Sequence, residues 1–221
     1  MTTPSIRADL AEAHAAVVAE WGEPGTWWTG AERLAIVAEL RRARAADPLP
    51  PWVSPSAEGL VPDDHLLSAP AVDAIWRIAN HAGTFTRDVY DALVARGLSP
   101  EAYVELVAVV ATAAALDTFT TALGLPVYPL PDPVPGEPTR ELVAGAVAST
   151  HWVPTVPGGV SVLQALSAVA SGNETRRNLS EAQYLPAEAL IGDLTWSRGT
   201  LDRLQIELIA ARTSILNECF Y

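Results

Sequence analysis

The feature that most constrains this chain is an apolar run from Leu106 to Leu116, bracketed by Glu105 and Asp117. Ahead of it, Ser99-Pro100-Glu101 reads as an N-cap, a proline at the first helical position and an acid in the first turn. Gly124 closes the segment, so one long helix is expected from about Pro100 to Leu123. Its apolar part falls short of the roughly 20 residues that span a bilayer, which makes it a buried core helix and not a membrane span. Apart from the short Val153-to-Val162 region nothing alternates with period two, so the expected class is all-α.

Other helices announce themselves by their ends. Thr29-Gly30-Ala31-Glu32 is a capping box, and the helix it opens should run to about Ala46, where Asp47-Pro48-Leu49-Pro50-Pro51 stops it. Leu34, Ile36, Val37, Leu40 and Ala43 form its apolar stripe, with Arg33, Glu39, Arg41, Arg42 and Arg44 mostly on the wetted side. Residues 47 to 70 read as an irregular loop anchored by Trp52. Helical blocks follow over Ala71 to about Ala79 and Thr86 to Arg96, the latter ended by Gly97. Pro126 to Pro138 is an extended, proline-rich connector. Beyond it, helices are expected near Thr139 to Ala148, near Ser161 to Ser171 and from Thr200 to about Leu216. The first helix to stand out is the one at Thr29; the segment before it lacks the cationic and apolar regions of a signal peptide, which implies a cytoplasmic location.

Composition removes whole classes of partner. Among 221 residues, 26 acids face 14 bases, all of them arginine, for a formal charge of −12. Without a basic cluster the chain is not expected to bind nucleic acid or an anionic membrane surface. At 49% hydrophobic content it can fold without staples, and its single cysteine, Cys219, excludes a disulfide framework or a cysteine-based zinc site. His14, His65, His81 and His151 are scattered without metal-ligand spacing, so no metal is expected. Trp27, Trp28 and Trp152 read as loop anchors.

An internal echo appears when the long helix is laid over the last one. Tyr103-Val104-Glu105-Leu106-Val107-Ala108 then falls on Gln205-Ile206-Glu207-Leu208-Ile209-Ala210, and Asp117 falls on Cys219. The chain is therefore expected to be a single all-α domain, 1–221, of two related halves, about 1–125 and 139–221, joined by the connector 126–138.

The stretch from Gln205 to Tyr221, with Glu207 and, twelve residues on, Cys219, resembles the active-site segment of the alkyl hydroperoxidase D-like and carboxymuconolactone decarboxylase-like superfamily. Trp28-Thr29-Gly30-Ala31-Glu32-Arg33-Leu34 and the Tyr103-to-Pro131 segment with Leu123-Gly124-Leu125-Pro126 are similar to its two-repeat, peroxidase-related branch. The resemblance implies a thiol or selenothiol peroxidase. A second redox residue three positions past the first attacks a hydroperoxide, and the first, assisted by the helical glutamate, protonates and resolves it. Cys219 and Glu207 are thus the expected catalytic residues, with a thiol reductant as partner, homo-oligomers as the assembly and no cofactor. Phe220 and Tyr221 fill the two intervening positions, so the second redox residue would come immediately after Tyr221; this 221-residue chain lacks it and is expected to be inactive. A UGA codon read as selenocysteine at that point would supply it, as in the selenoprotein-type members that the arrangement resembles.

Two other readings stay open on the residues. A glutamate inside an apolar helix also serves as a paired structural group and a lone cysteine as a small core residue, which describes a non-catalytic binding or scaffold protein. A decarboxylase-like lactone enzyme on the same fold would use a general acid or base and no redox pair. Unbroken helix would separate Glu207 from Cys219 by about 18 Å, so any cooperation needs a chain reversal, expected at Asn217-Glu218.

Overall fold

A computed structural model describes residues 6–46, 50, 64–158, 164–186, 189 and 194–217. Among them are seven α-helices: α1 (Ala8–Trp21), α2 (Gly30–Ala45), α3 (Ala69–His81), α4 (Arg87–Ala95), α5 (Pro100–Ala122), α6 (Ala170–Gln183) and α7 (Arg203–Leu216). A two-stranded antiparallel hairpin, β1 (Ser197–Arg198) and β2 (Leu201–Asp202), precedes α7. The all-α class is as expected.

Helix α5 is the axis of the core. Its start is capped by Ser99, whose hydroxyl accepts the Ala102 amide at 3.2 Å, with Pro100 at the first helical position. Its end is a Schellman turn: Gly124 takes a positive φ of 67°, and the Gly124 and Leu125 amides donate to the Thr121 and Thr120 carbonyls. Against α5 pack Ile36, Val37 and Leu40 of α2 and Val72, Ile75 and Trp76 of α3, facing Leu106, Val109, Val110 and Leu116. By length and composition α5 could cross a membrane, but 61% of its most apolar window is buried inside the protein.

Helix α2 opens with the expected capping box, the Thr29 amide donating to Glu32 Oε2 at 2.8 Å and the Glu32 amide to Thr29 Oγ1 at 3.2 Å. Its charged residues overturn one expectation. Arg33 and Glu39 are buried, because each finds partners on other elements, while Arg42 and Arg44 are exposed. Glu39 accepts Trp76 Nε1 at 2.5 Å, Arg42 at 2.5 Å and His65 at 3.2 Å. Burial works against its charge, yet the bonds from Arg42, Trp76 and His65 outweigh it and hold the carboxyl below the ordinary range. Arg41 grips Asp117 through two bonds of 2.9 and 2.8 Å, so α2 and α5 are tied at this end by a bidentate pair.

Four other expectations need correction. Helix α1 was not anticipated; it buries Leu10, His14, Val17 and Trp21, a helical stripe in which one position is a histidine. Thr139 to Ala148 is not helical. The Thr139 and Arg140 amides donate to the Gly25 and Thr26 carbonyls, and Arg140 takes a left-handed φ of 58°, which a right-handed helix cannot contain. Of the helix placed near Ser161 to Ser171, the first positions, 161–163, lie outside the described residues; residues 165–169 are non-helical, and their Leu166, Ala168 and Val169 pack on Val104 and Ala108 of α5 before α6 starts at Ala170 and runs on to Gln183. Trp152 is 43% exposed, whereas Trp28 is buried and donates to the Ala102 carbonyl at 2.9 Å. The anchor assigned to Trp52 lies outside the described residues.

The segment 126–138 holds no helix or strand and lies as a strap against the α1–α2 turn, the Val134 amide donating to the Gly22 carbonyl at 2.8 Å. Tyr128 on this strap meets His14, whose Nδ1 lies 3.0 Å from the Tyr128 hydroxyl and whose Nε2 lies 3.0 Å from Gln183 of α6. Phe119 abuts the ring edge-on at 4.8 Å. Burial holds the His14 imidazole below its ordinary pKa. A histidine depressed in the folded state contributes its stability in full above the unfolded value of about 6.5 and loses it as pH falls through the folded value. The urea midpoint should therefore fall between about pH 7.5 and about pH 5, and His14→Gln should flatten that fall. Parallel slopes for the two proteins would refute the assignment.

Candidate functional site

Two glutamates at the same register of the internal echo occupy different surroundings. Glu207, the expected catalytic residue, sits on α7, which begins with an Asp202–Gln205 capping box. Its Oε2 accepts the Tyr184 hydroxyl at 2.8 Å, and Arg203 bonds its Oε1 at 2.8 Å through Nε and 2.7 Å through Nη2. Burial, followed by the bond to Glu207, pushes the Tyr184 phenol up to about 12. Glu207 and Tyr184 edge a groove of about 740 Å³ whose other walls include Leu201, Ile206 and Ile209. α7 packs on the hairpin and on the end of α6, leaving Leu204, Leu208, Ile215 and Leu216 at least 66% exposed. The helix ends at Leu216, and Asn217 forms a turn. Cys219 lies outside the described residues, as does Glu218.

Glu105, by contrast, is buried at 2% exposure on α5. Its Oε2 accepts the Trp27 amide at 2.5 Å, while its Oε1 has no hydrogen-bond partner. Arg33 Nε, also without a hydrogen-bond partner, lies 3.8 Å from Oε1. The same guanidinium reaches Glu20 Oε1 at 3.1 Å and the Glu23 carbonyl at 3.3 Å. The other oxygen of Glu20 accepts the Thr175 hydroxyl of α6. A void of about 10 Å³, lined by Glu105, Glu20, Arg33, Thr112 and Thr175, is about the size of a single water site. Burial pushes the Glu105 carboxyl up; Arg33 and the Trp27 and Thr26 amides oppose that shift, and Glu20 adds to it.

Gly25 roofs this cluster. A Cβ there would lie 1.8 Å from Glu105 Oε1, so only glycine lets the α1–α2 turn come so close to the carboxyl. On the outer side of Gly25 a cleft of about 590 Å³ opens between α1 and α6, sharing Glu20, Arg33, Ser171 and Thr175 with the inner void. Chemically, the arrangement is a buried carboxyl able to retain a proton, one arginine between two acids, and hydroxyls leading outward.

No family model, no curated protein and no solved structure matches the chain. The site is therefore read from its own chemistry. Among the described residues, no group of three or more His, Cys, Asp or Glu is placed to hold a metal ion. Sequence reasoning found Glu207 through its spacing to Cys219, and met Glu105 only as its counterpart in the echo. What marks Glu105 is its place ahead of an apolar run that must be buried, which demands a cation from another element. Arg33 supplies it.

Proposed function

We propose that the chain is a thiol or selenothiol peroxidase-like oxidoreductase of the alkyl hydroperoxidase D-like kind, acting in the cytoplasm. The observation that carries this reading is Glu207 itself. It is a carboxylate fixed by Tyr184 and Arg203 at the edge of an apolar groove, on a helix that ends three residues before Cys219 in the sequence. In the proposed reaction a redox residue three positions past Cys219 attacks the peroxide O–O bond, releasing an alcohol and becoming a sulfenate or selenenate. The Cys219 thiol then attacks that sulfur or selenium, water leaves, and the resulting disulfide or selenosulfide is reduced by an external dithiol. Glu207 passes the proton between Cys219 and the leaving oxygen. The exposed leucines and isoleucines of α7 offer a face for a second copy, in keeping with a homo-oligomer.

The decarboxylase-like alternative gains less support. Glu105 has the raised pKa such chemistry needs, but the cleft beside it is lined by Glu20, Glu23, Glu141 and Glu174, which repel an anionic lactone acid. The test is hydroperoxide consumption, with a dithiol reductant, by the protein expressed from its natural gene. Thiol-dependent turnover that disappears in Cys219→Ser and slows in Glu207→Gln is the expected result, in a preparation that sediments as an oligomer. A product ending at Tyr221 that consumes no peroxide would leave the binding or scaffold reading in its place.

A further inference from the structure

Beneath Gly25 two buried polar atoms face each other without touching. Glu105 Oε1 and Arg33 Nε belong to residues 2% and 5% exposed, neither atom has a hydrogen-bond partner, and 3.8 Å separates them. That is too long for a direct hydrogen bond, and buried atoms of this kind are seldom left bare. The void of about 10 Å³ that both residues line has room for one water. Charge argues against an ion in its place, since a cation would meet the guanidinium and an anion the Glu105 carboxyl. A water can accept from Arg33 Nε–H and donate to Glu105 Oε1. Thr175 Oγ1 lines the same void and directs its own proton at Glu20 Oε2, so it has a lone pair for the water's second O–H.

The void and the outer cleft of about 590 Å³ share Glu20, Arg33, Ser171 and Thr175. Glu20 is the acid among them, and its side chain is 21% exposed against 2% for Glu105. One carboxylate thus lines the cleft on one side and the void on the other. We propose that a single ordered water bridges Arg33 Nε and Glu105 Oε1, and that with Glu20 it forms a proton route from the outer cleft to the buried carboxyl. Going inward, Glu20 takes a proton from cleft water, passes it to the oxygen of the internal water and returns to carboxylate. The internal water gives one of its own protons to Glu105 Oε1 and remains a water. The charged groups facing Glu105 are Arg33 from α2 and Glu20 from α1; α6 brings Ser171, Gly172 and Thr175 to the void, and the α1–α2 turn brings the Thr26 and Trp27 amides. Burial, which pushes the Glu105 carboxyl up, lets the delivered proton stay there. The route involves no residue of the Glu207 groove, so it is independent of the peroxidase reading.

Nuclear magnetic resonance of the 13C-labelled 221-residue chain tests both parts. Above the titration of Glu105, the methyl groups of Val109 and Thr112, which line the void, should show water cross-peaks of opposite sign in the laboratory and rotating frames, the mark of a held water. Those cross-peaks should vanish in folded Arg33→Met/Glu105→Leu, where both partners of the water are apolar. The Glu105 side-chain carboxyl carbon should follow pH as one moving resonance. In Glu20→Gln the water cross-peaks should stay, while the carboxyl carbon should split into two slowly exchanging resonances, because its proton must then wait for the helices to part. Absence of the water cross-peaks in the parent overturns the proposal. So does their persistence in the double variant, which would trace them to the threonine hydroxyls. A single moving Glu105 resonance in Glu20→Gln overturns it as well, since protons would then arrive by another path.

Discussion

Arg33→Met is expected to destabilise the protein by about 3–5 kcal/mol, the cost of leaving buried charge without its partner. Arg33 is the only cation within reach of both Glu105 and Glu20 in the described structure, and both carboxylates face the same small void. Methionine keeps the volume and the flexible stem but removes the charge and the bonds to Glu20 and the Glu23 carbonyl. Glu105, already pushed up by burial, would take a proton, and Glu20 would be left with the Thr175 hydroxyl. Equilibrium urea unfolding at neutral pH measures the loss. The decisive control is Arg33→Met/Glu105→Leu, which replaces the pair with apolar groups. It should recover a large part of the deficit, because removing both partners spares the desolvated remainder. A double variant as unstable as the single one would show that Arg33 matters for packing and not for charge.

Trp76→Ala should cost at least as much. The indole is 2% exposed among α2, α3 and α5, and truncating a buried tryptophan costs about 3–5 kcal/mol through lost burial and the cavity left behind. Its Nε1 also donates to Glu39 at 2.5 Å, and Arg42 stacks over the ring at 4.9 Å from its centroid. Losing that donor from a buried carboxylate adds about 1.5–3 kcal/mol. Against a typical total of about 5–15 kcal/mol, the variant should be largely unfolded or recoverable only at low temperature. Trp76→Phe separates the contributions: most of the ring volume stays and the donor goes, so an intermediate loss is expected. A phenylalanine variant as stable as the parent would mean that Arg42 and His65 suffice to hold Glu39.

How far these features could be read from the chain depended on where each element keeps its information. Helices α2 and α5 carry caps at the start, prolines or glycine at the end and aliphatic stripes between, so local propensity and burial agree. Helix α1 hides its stripe because His14 and Trp21 alternate with alanine and glutamate, and its start has no side-chain cap. Helix α6 is more elusive still: Ser171-Gly172-Asn173-Glu174-Thr175-Arg176-Arg177-Asn178 has almost no apolar periodicity, and the helix exists because α1 and α5 receive Leu179 and Gly172. The same distinction runs through the site. Glu207 was visible from spacing within one segment, but the burial of Arg33 depends on Glu105, some seventy positions away on another helix. A charge on an amphipathic helix reads as solvent-facing until its partner is known. Arg33 with Glu105 and Arg41 with Asp117 tie α2 to α5 at two levels, and neither tie is legible from α2 alone.

The strap also sets an order of events during synthesis. Gly22, Gly25 and Thr26 offer carbonyls that are satisfied by amides of Val134, Thr139 and Arg140. On a ribosome adding about 5–20 residues per second, the turn between α1 and α2 emerges roughly 110 residues before those amides, a wait of order ten seconds. For most of that interval Glu105 is not yet there for Arg33, Tyr128 emerges only just before the strap's Val134, and Gln183, which completes the surroundings of His14, comes later still. The N-terminal helices must therefore remain soluble as an unfinished surface, with six acids and five arginines among residues 1–46 to keep it hydrated until the strap arrives.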